Sequence, residues 1–145
     1  MILNNNLGKR QNAMNAIDFF CGGGGMTRGL LDAGIDVILG LDFNPHCRET
    51  YENNNHIPYL NFDITNVTGN QLLHDFPIIA DADELLMVGC APCQPFSRLN
   101  PNDPNEHQSV NLLNEFGRLV REINPAHILI ENVATIQQRG TGILN

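Results

Sequence analysis

Apolar residues along this chain come in short continuous runs, with stretches of helical spacing between them. Residues 16–20 form the first run, predicted as a strand, which stops at Cys21 and the glycines Gly22, Gly23, Gly24 and Gly25. Residues 26–33 follow as a predicted helix, with Met26 and Leu30 one turn apart and Gly34 as its C-terminal stop. Residues 35–41 are a second apolar strand, and Pro45 opens a helix that runs to about residue 53. A short strand over 58–62 precedes Asp63, and a fourth strand over 85–89 is reached after a polar stretch. Residues 111–122 fit a helix with Leu112, Phe116, Leu119, Val120 and Ile123 on one side. Residues 126–130 are a fifth strand, ending at Glu131. Residues 1–15 are polar and read as a flexible lead-in, leaving 16–145 as the folded part.

Strands alternating with helices predict parallel βαβ units, an α/β fold of Rossmann-like type. Continuous apolar runs, rather than alternating ones, are expected of strands covered on both faces. Ligands of such sheets bind at the carboxyl ends of the strands. Each chemically interesting segment sits at such an end: Gly22 to Gly25, Asp42, Asp63, the stretch 92–97, and Glu131.

Composition narrows the field. A chain of 145 residues suits one domain. No apolar run approaches the roughly 18 residues of a membrane span. The first 15 residues lack the apolar segment of a secretory leader, which makes the cytoplasm the default compartment and free thiols the expectation for Cys21, Cys47, Cys90 and Cys93. The net charge is −8 and Lys9 is the sole lysine. A module that binds nucleic acid unaided carries a basic face, and this chain has none. A phosphate loop with a lysine after its glycines is also excluded.

Three segments carry candidate chemistry. A strand, a glycine turn and a helix make a nucleotide-binding arrangement, because glycines admit close approach and the helix start offers free N–H groups. Asp42 ends the next strand, where a carboxylate accepts from ribose hydroxyls or caps a helix. Thr27 stands where the dinucleotide fingerprint has its third glycine, which favours an adenosine ligand without a pyrophosphate. The second segment runs Pro92-Cys93-Gln94-Pro95-Phe96-Ser97, and four of the eight prolines lie between Pro92 and Pro104. A proline-stiffened loop holds a side chain in place, so Cys93 reads as a nucleophile, as a small buried residue, or as half of a Cys90–Cys93 redox or metal pair. The third is Glu131 beyond an apolar strand, expected to be part-buried with a raised pKa suited to acid catalysis, or else to cap a helix.

Taken in order, these segments resemble the cytosine-5 DNA methyltransferases over residues 16 to about 138. The run from Asp18 to Met26 looks like that family's cofactor loop, and Asp42-Phe43 is similar to its ribose- and adenine-binding pair. Asp63-Ile64 matches the pair at the adenine edge, and residues 92–97 resemble the catalytic loop. Leu112 falls where a leucine contacts the cofactor, and Glu131-Asn132-Val133 matches the catalytic glutamate triplet. The resemblance implies S-adenosyl-L-methionine as cofactor, held by Phe20, Gly22, Gly24, Gly25, Asp42, Phe43, Asp63, Ile64, Pro92 and Leu112. It implies Cys93 and Glu131 as catalytic residues, no metal, and a cytosine flipped out of double-stranded DNA as acceptor.

The family pattern continues beyond these motifs, into a Gln-Arg-x-Arg-like segment, a target recognition domain and a closing Asn-containing motif. The resemblance therefore implies a partial catalytic domain with a sheet incomplete on its C-terminal side, in a prokaryotic or phage-type restriction-modification setting: a fragment, one piece of a split enzyme served by a complementing chain, or a decayed gene product. An inactive cofactor-binding remnant and a tRNA cytosine-5 methyltransferase stand as alternatives.

Overall fold

The structure, a computed structural model, describes residues 14–80, 84–92 and 106–131, with side chains from residue 111 onward in the last segment. Within these residues five strands form one parallel sheet: β1 (Asn15–Phe19), β2 (Asp36–Asp42), β3 (Tyr59–Asn61), β4 (Leu85–Gly89) and β5 (His127–Ile130). Their order across the sheet is β3-β2-β1-β4-β5. The chain winds outward from β1 to β3, then returns to lay β4 on the other side of β1. The switch point of this winding is therefore the crevice between the carboxyl ends of β1 and β4, where a ligand of such a sheet is expected.

Among the described residues four α-helices flank the sheet: α1 (Gly25–Asp32), α2 (Arg48–Asn55), α3 (Gly69–Asp75) and α4 (Glu106–Ile123). Ile17, Phe19, Leu39, Leu41 and Met87 pack against Leu72 of α3 and Leu113, Phe116 and Leu119 of α4. Ala16, Val37, Leu86 and Val88 meet Leu30 of α1 on another cluster, and Tyr51 of α2 packs with Cys21 and Tyr59. The register of β2 against β1 skips Ile38, a local bulge. Gly40 lies directly under Tyr51, whose ring fills the space a side chain at 40 would need.

Two differences from the sequence expectations have clear causes. Helix α3 lies inside the stretch read as merely polar, because it is short and its N-terminus is held by one local cap and one bond from distant α4. Thr68 Oγ1 accepts from the Gln71 N–H at 3.2 Å, and Glu122 Oε2 from the Gly69 N–H at 2.6 Å. The expectation of strands covered on both faces holds for β4, whose five residues are all buried, but not for β5. Ile128 and Leu129 of β5 are 50% and 40% exposed, and its outer edge has no strand partner among the described residues. The lead-in expected over residues 1–15 lies mostly outside the described residues, and β1 begins at Asn15.

Candidate functional site

The glycine turn leaves β1 through Phe20, whose φ of 60° is unusual for a side chain with a Cβ. The next turn is closed by Gly24 N–H donating to the Cys21 carbonyl at 2.8 Å. Gly24 has φ of 89°, and a Cβ there would run into Asn55 and Tyr51 of α2. Gly24 therefore seats the turn on α2, whereas the Cβ positions of Gly22 and Gly25 face open space.

Asp42 ties this turn to the second strand. One carboxylate oxygen accepts from the Gly22 N–H at 3.0 Å and the other from the Asn44 N–H at 2.9 Å. Each oxygen keeps a lone pair for a further donor. The following backbone is held from β3: the Asn61 side-chain amide donates to the carbonyls of Asp42 (3.1 Å) and Phe43 (2.8 Å), and the Tyr59 hydroxyl to that of Asn44. Phe43 thus stands on a fixed backbone and is 67% exposed. A large apolar ring so placed, beside a carboxylate with free lone pairs and an open glycine turn, fits a ligand with a flat base and a ribose. Asn61 and Tyr59 carry no motif signal, and sequence reasoning passed over both.

Asp63 begins the loop after β3. Its Oδ1 accepts from the Thr65 N–H at 3.0 Å and the Thr65 hydroxyl at 2.7 Å, which holds the carboxyl below its usual range. The side chain is exposed, while that of Ile64 is buried in the core. Arg118 of α4 fastens this loop, donating through Nη2 to the carbonyls of Ile64 (3.2 Å) and Val67 (2.8 Å) while paired with Glu115 and Glu122. Leu112 is half-buried on the same helix, against the core beneath the loop.

At the switch point the pairing runs past the strand ends. Cys90 N–H donates to the Phe19 carbonyl at 3.3 Å and Glu131 N–H to that of Gly89 at 3.2 Å. Burial first, then the charges of Asp18 and Glu131, pushes the Cys90 thiol up to about 11, so it stays protonated near neutral pH and is a poor nucleophile. Pro92 is half-buried at the start of the proline-rich loop; Cys93 and the rest of that loop lie outside the described residues, as do Asn132 and Val133. Glu131 is exposed, contrary to the expectation of a part-buried carboxyl, at the end of a strand whose own residues are largely exposed.

Behind the turn lies a polar cluster that the motif reading did not single out. Asp18 of β1 is fully buried; its Oδ2 accepts from the Thr27 hydroxyl at 2.7 Å, and Thr27 meets the Tyr51 hydroxyl at 2.9 Å. Thr27, a departure from the dinucleotide fingerprint, is thus the anchor of α1 to the sheet. Burial raises the Asp18 carboxyl to about 6, the Thr27 bonds opposing it and Asp42 adding to it.

The model of the family described as C-5 cytosine-specific DNA methylase matches residues 14–143. The type II methylase M.HgiDII of Herpetosiphon aurantiacus is 39% identical over 126 residues, which cover 87% of this chain and 34% of the relative. The type II methyltransferase M.HgiGI of the same organism is 31% identical over 120 residues, 83% of this chain and 90% of that relative. A crystal structure of a prophage-encoded E. coli protein described as a DNA modification methyltransferase superposes with a TM-score of 0.73 at 29% identity, covering 92% of this chain and 36% of the other. The chain thus spans about a third of M.HgiDII, and most of M.HgiGI.

Proposed function

Because the chain belongs to the C-5 cytosine-specific DNA methylase family, we propose that it forms the cofactor-binding, nucleophile-bearing part of a DNA (cytosine-5-)-methyltransferase. The observation that carries this reading is the bond from Gly22 N–H to the Asp42 carboxylate, which joins the glycine turn of β1 to the acidic end of β2 beside the switch point. In this reading Phe20, Gly22, Gly24 and Gly25 line the cofactor and Asp42 accepts from its ribose. Phe43 stacks on the adenine, Asp63 and Ile64 meet its edge, and Pro92 and Leu112 close the remaining sides. S-adenosyl-L-methionine, when bound there, supplies an electrophilic methyl group.

The chain's own residues activate the acceptor. The Cys93 thiolate adds to carbon 6 of a flipped cytosine while Glu131 donates a proton to ring N3, so negative charge does not build up on the ring. Carbon 5 thereby becomes nucleophilic. After methylation the carbon 5 proton is lost to solvent, its electrons re-form the 5,6 double bond as the C–S electrons return to Cys93, and N3 gives its proton back to Glu131. Exposure of Glu131 and of β5 supports a further part of the reading: another polypeptide region, carrying the remaining family motifs, covers this side and supplies DNA contacts that a chain of net charge −8 lacks. The bacterial relatives support a cytoplasmic restriction-modification setting.

The test is transfer of a labelled methyl group to duplex DNA by this chain with a polypeptide carrying the rest of the domain. Cytosine-5 labelling, and a covalent adduct trapped on DNA containing 5-fluorocytosine, are expected. Labelling of tRNA and not DNA would overturn the substrate assignment.

A further inference from the structure

We infer that Asp18 is a buried counter-charge for the sulfonium of the methyl donor, acting through its field at the strand ends rather than by contact; this rests on the cofactor reading above. Asp18 is 0% exposed, one residue before the end of β1. Both hydroxyls beside it are arranged to serve an anion. With the Thr27 O–H donated to Oδ2, Thr27 can only accept from the Tyr51 O–H, so the two dipoles point at the carboxylate. The second oxygen, Oδ1, has no hydrogen-bond partner among the described residues.

Among the described residues, the groups that face Asp18 supply no positive charge. Asp42 of β2, Cys21 of the turn, Tyr51 of α2 and Cys90 just past β4 are the described ionisable groups that feel its charge, and each is neutral or negative. From α1, Arg28 is exposed and paired with Asp32 at 2.6 Å. A buried carboxylate so placed is costly for the fold. Removing its charge would leave the Thr27 bond available to an asparagine oxygen and would relieve that cost. A cation bound at the adjoining strand ends would compensate the charge instead.

S-adenosyl-L-methionine carries two positive groups, an ammonium and a sulfonium. The demethylated product, S-adenosyl-L-homocysteine, keeps the ammonium and loses the sulfonium charge. A fixed anion behind the turn therefore favours the donor over the spent product, and does so only while it is ionised. With burial holding the carboxyl near 6, that preference switches on between pH 5 and 7.5.

Calorimetry of the 145-residue chain with each ligand between pH 5 and 8 tests this. For wild type, the ratio of donor to product affinity should rise about tenfold across that range. In Asp18→Asn the ratio should stay flat, donor affinity at pH 7.5 should fall by about the same factor, and product affinity should be unchanged within about twofold. The variant should also melt at a higher temperature at pH 7.5, which a purely structural role would not produce. Equal weakening of both ligands, or a lower melting temperature, overturns the inference. If Asp18→Asn does not fold, the wild-type ratio decides alone, and a ratio independent of pH overturns it. Wild-type chain that binds neither ligand at any pH would instead remove the cofactor reading, and this inference with it.

Discussion

On the β3-β2-β1 side, side chains of one strand hold the backbone of the next: Asp42 the turn after β1, Asn61 and Tyr59 the segment after β2. On the β4-β5 side, Cys90 and Glu131 continue the pairing through backbone N–H groups, and Ile128, Leu129 and Glu131 face solvent. The first half builds its part of the site from within. The second presents Ile128, Leu129 and Glu131 at the surface. Binding the cofactor and transferring the methyl group should therefore be separable properties of this chain.

Substitutions that attack the two halves should separate them. The largest effect belongs to the open half. Cys93→Ser, in a mixture containing the rest of the domain, should abolish methyl transfer, on the order of 10⁴-fold or more, while leaving cofactor affinity unchanged. Activity near wild type would remove Cys93 from its role. The same half should govern assembly. An apolar edge strand templates strand addition, so the isolated chain should self-associate by light scattering after size-exclusion chromatography. Because both Ile128 and Leu129 are exposed, Ile128→Lys or Leu129→Lys should return it toward monomer; a wild-type monomer would show that β5 is covered in solution.

Smaller effects belong to the closed half. Arg118→Ala removes two bonds to the loop carbonyls and both carboxylate pairs, and should lower stability by about 1–3 kcal/mol, seen as a melting temperature lower by several degrees. The smallest concerns pH. The Asp18 carboxyl sits near 6 in the folded chain, above the 3.8 of an unperturbed carboxyl, so folding loses stability as pH rises through that window. Asp18→Asn should raise the melting temperature by a few degrees at pH 7.5, corresponding to about 1–2 kcal/mol, and the gain should vanish near pH 4.

The contrast also explains what the sequence could tell. Strands β1, β2, β4 and β5 are legible because unbroken apolar runs have few other uses, and the site segments are legible because they fall at the ends of those strands. Helix α3 was hidden, since two leucines in seven residues make no period. Tyr51 and Asn55, both buried on α2, lie in the polar run Arg48–Asn55, where nothing local marks them as the seat of Gly24. Thr27 stood out as a missing glycine, yet its partner Asp18 is known only once β1 and α1 are packed. The exposure of Glu131 depends on what lies over β5, which the residues around it do not encode.

The central claim is that the closed half binds S-adenosyl-L-methionine by itself, through the carboxylate that joins Gly22 to Asn44. Isothermal titration of the isolated chain with that ligand, beside Asp42→Ala, tests it most directly. The account expects measurable, weak binding by the wild-type chain and a loss of at least about tenfold in the variant, the size expected for hydrogen bonds to a charged group. Equal affinity in the two proteins would contradict it.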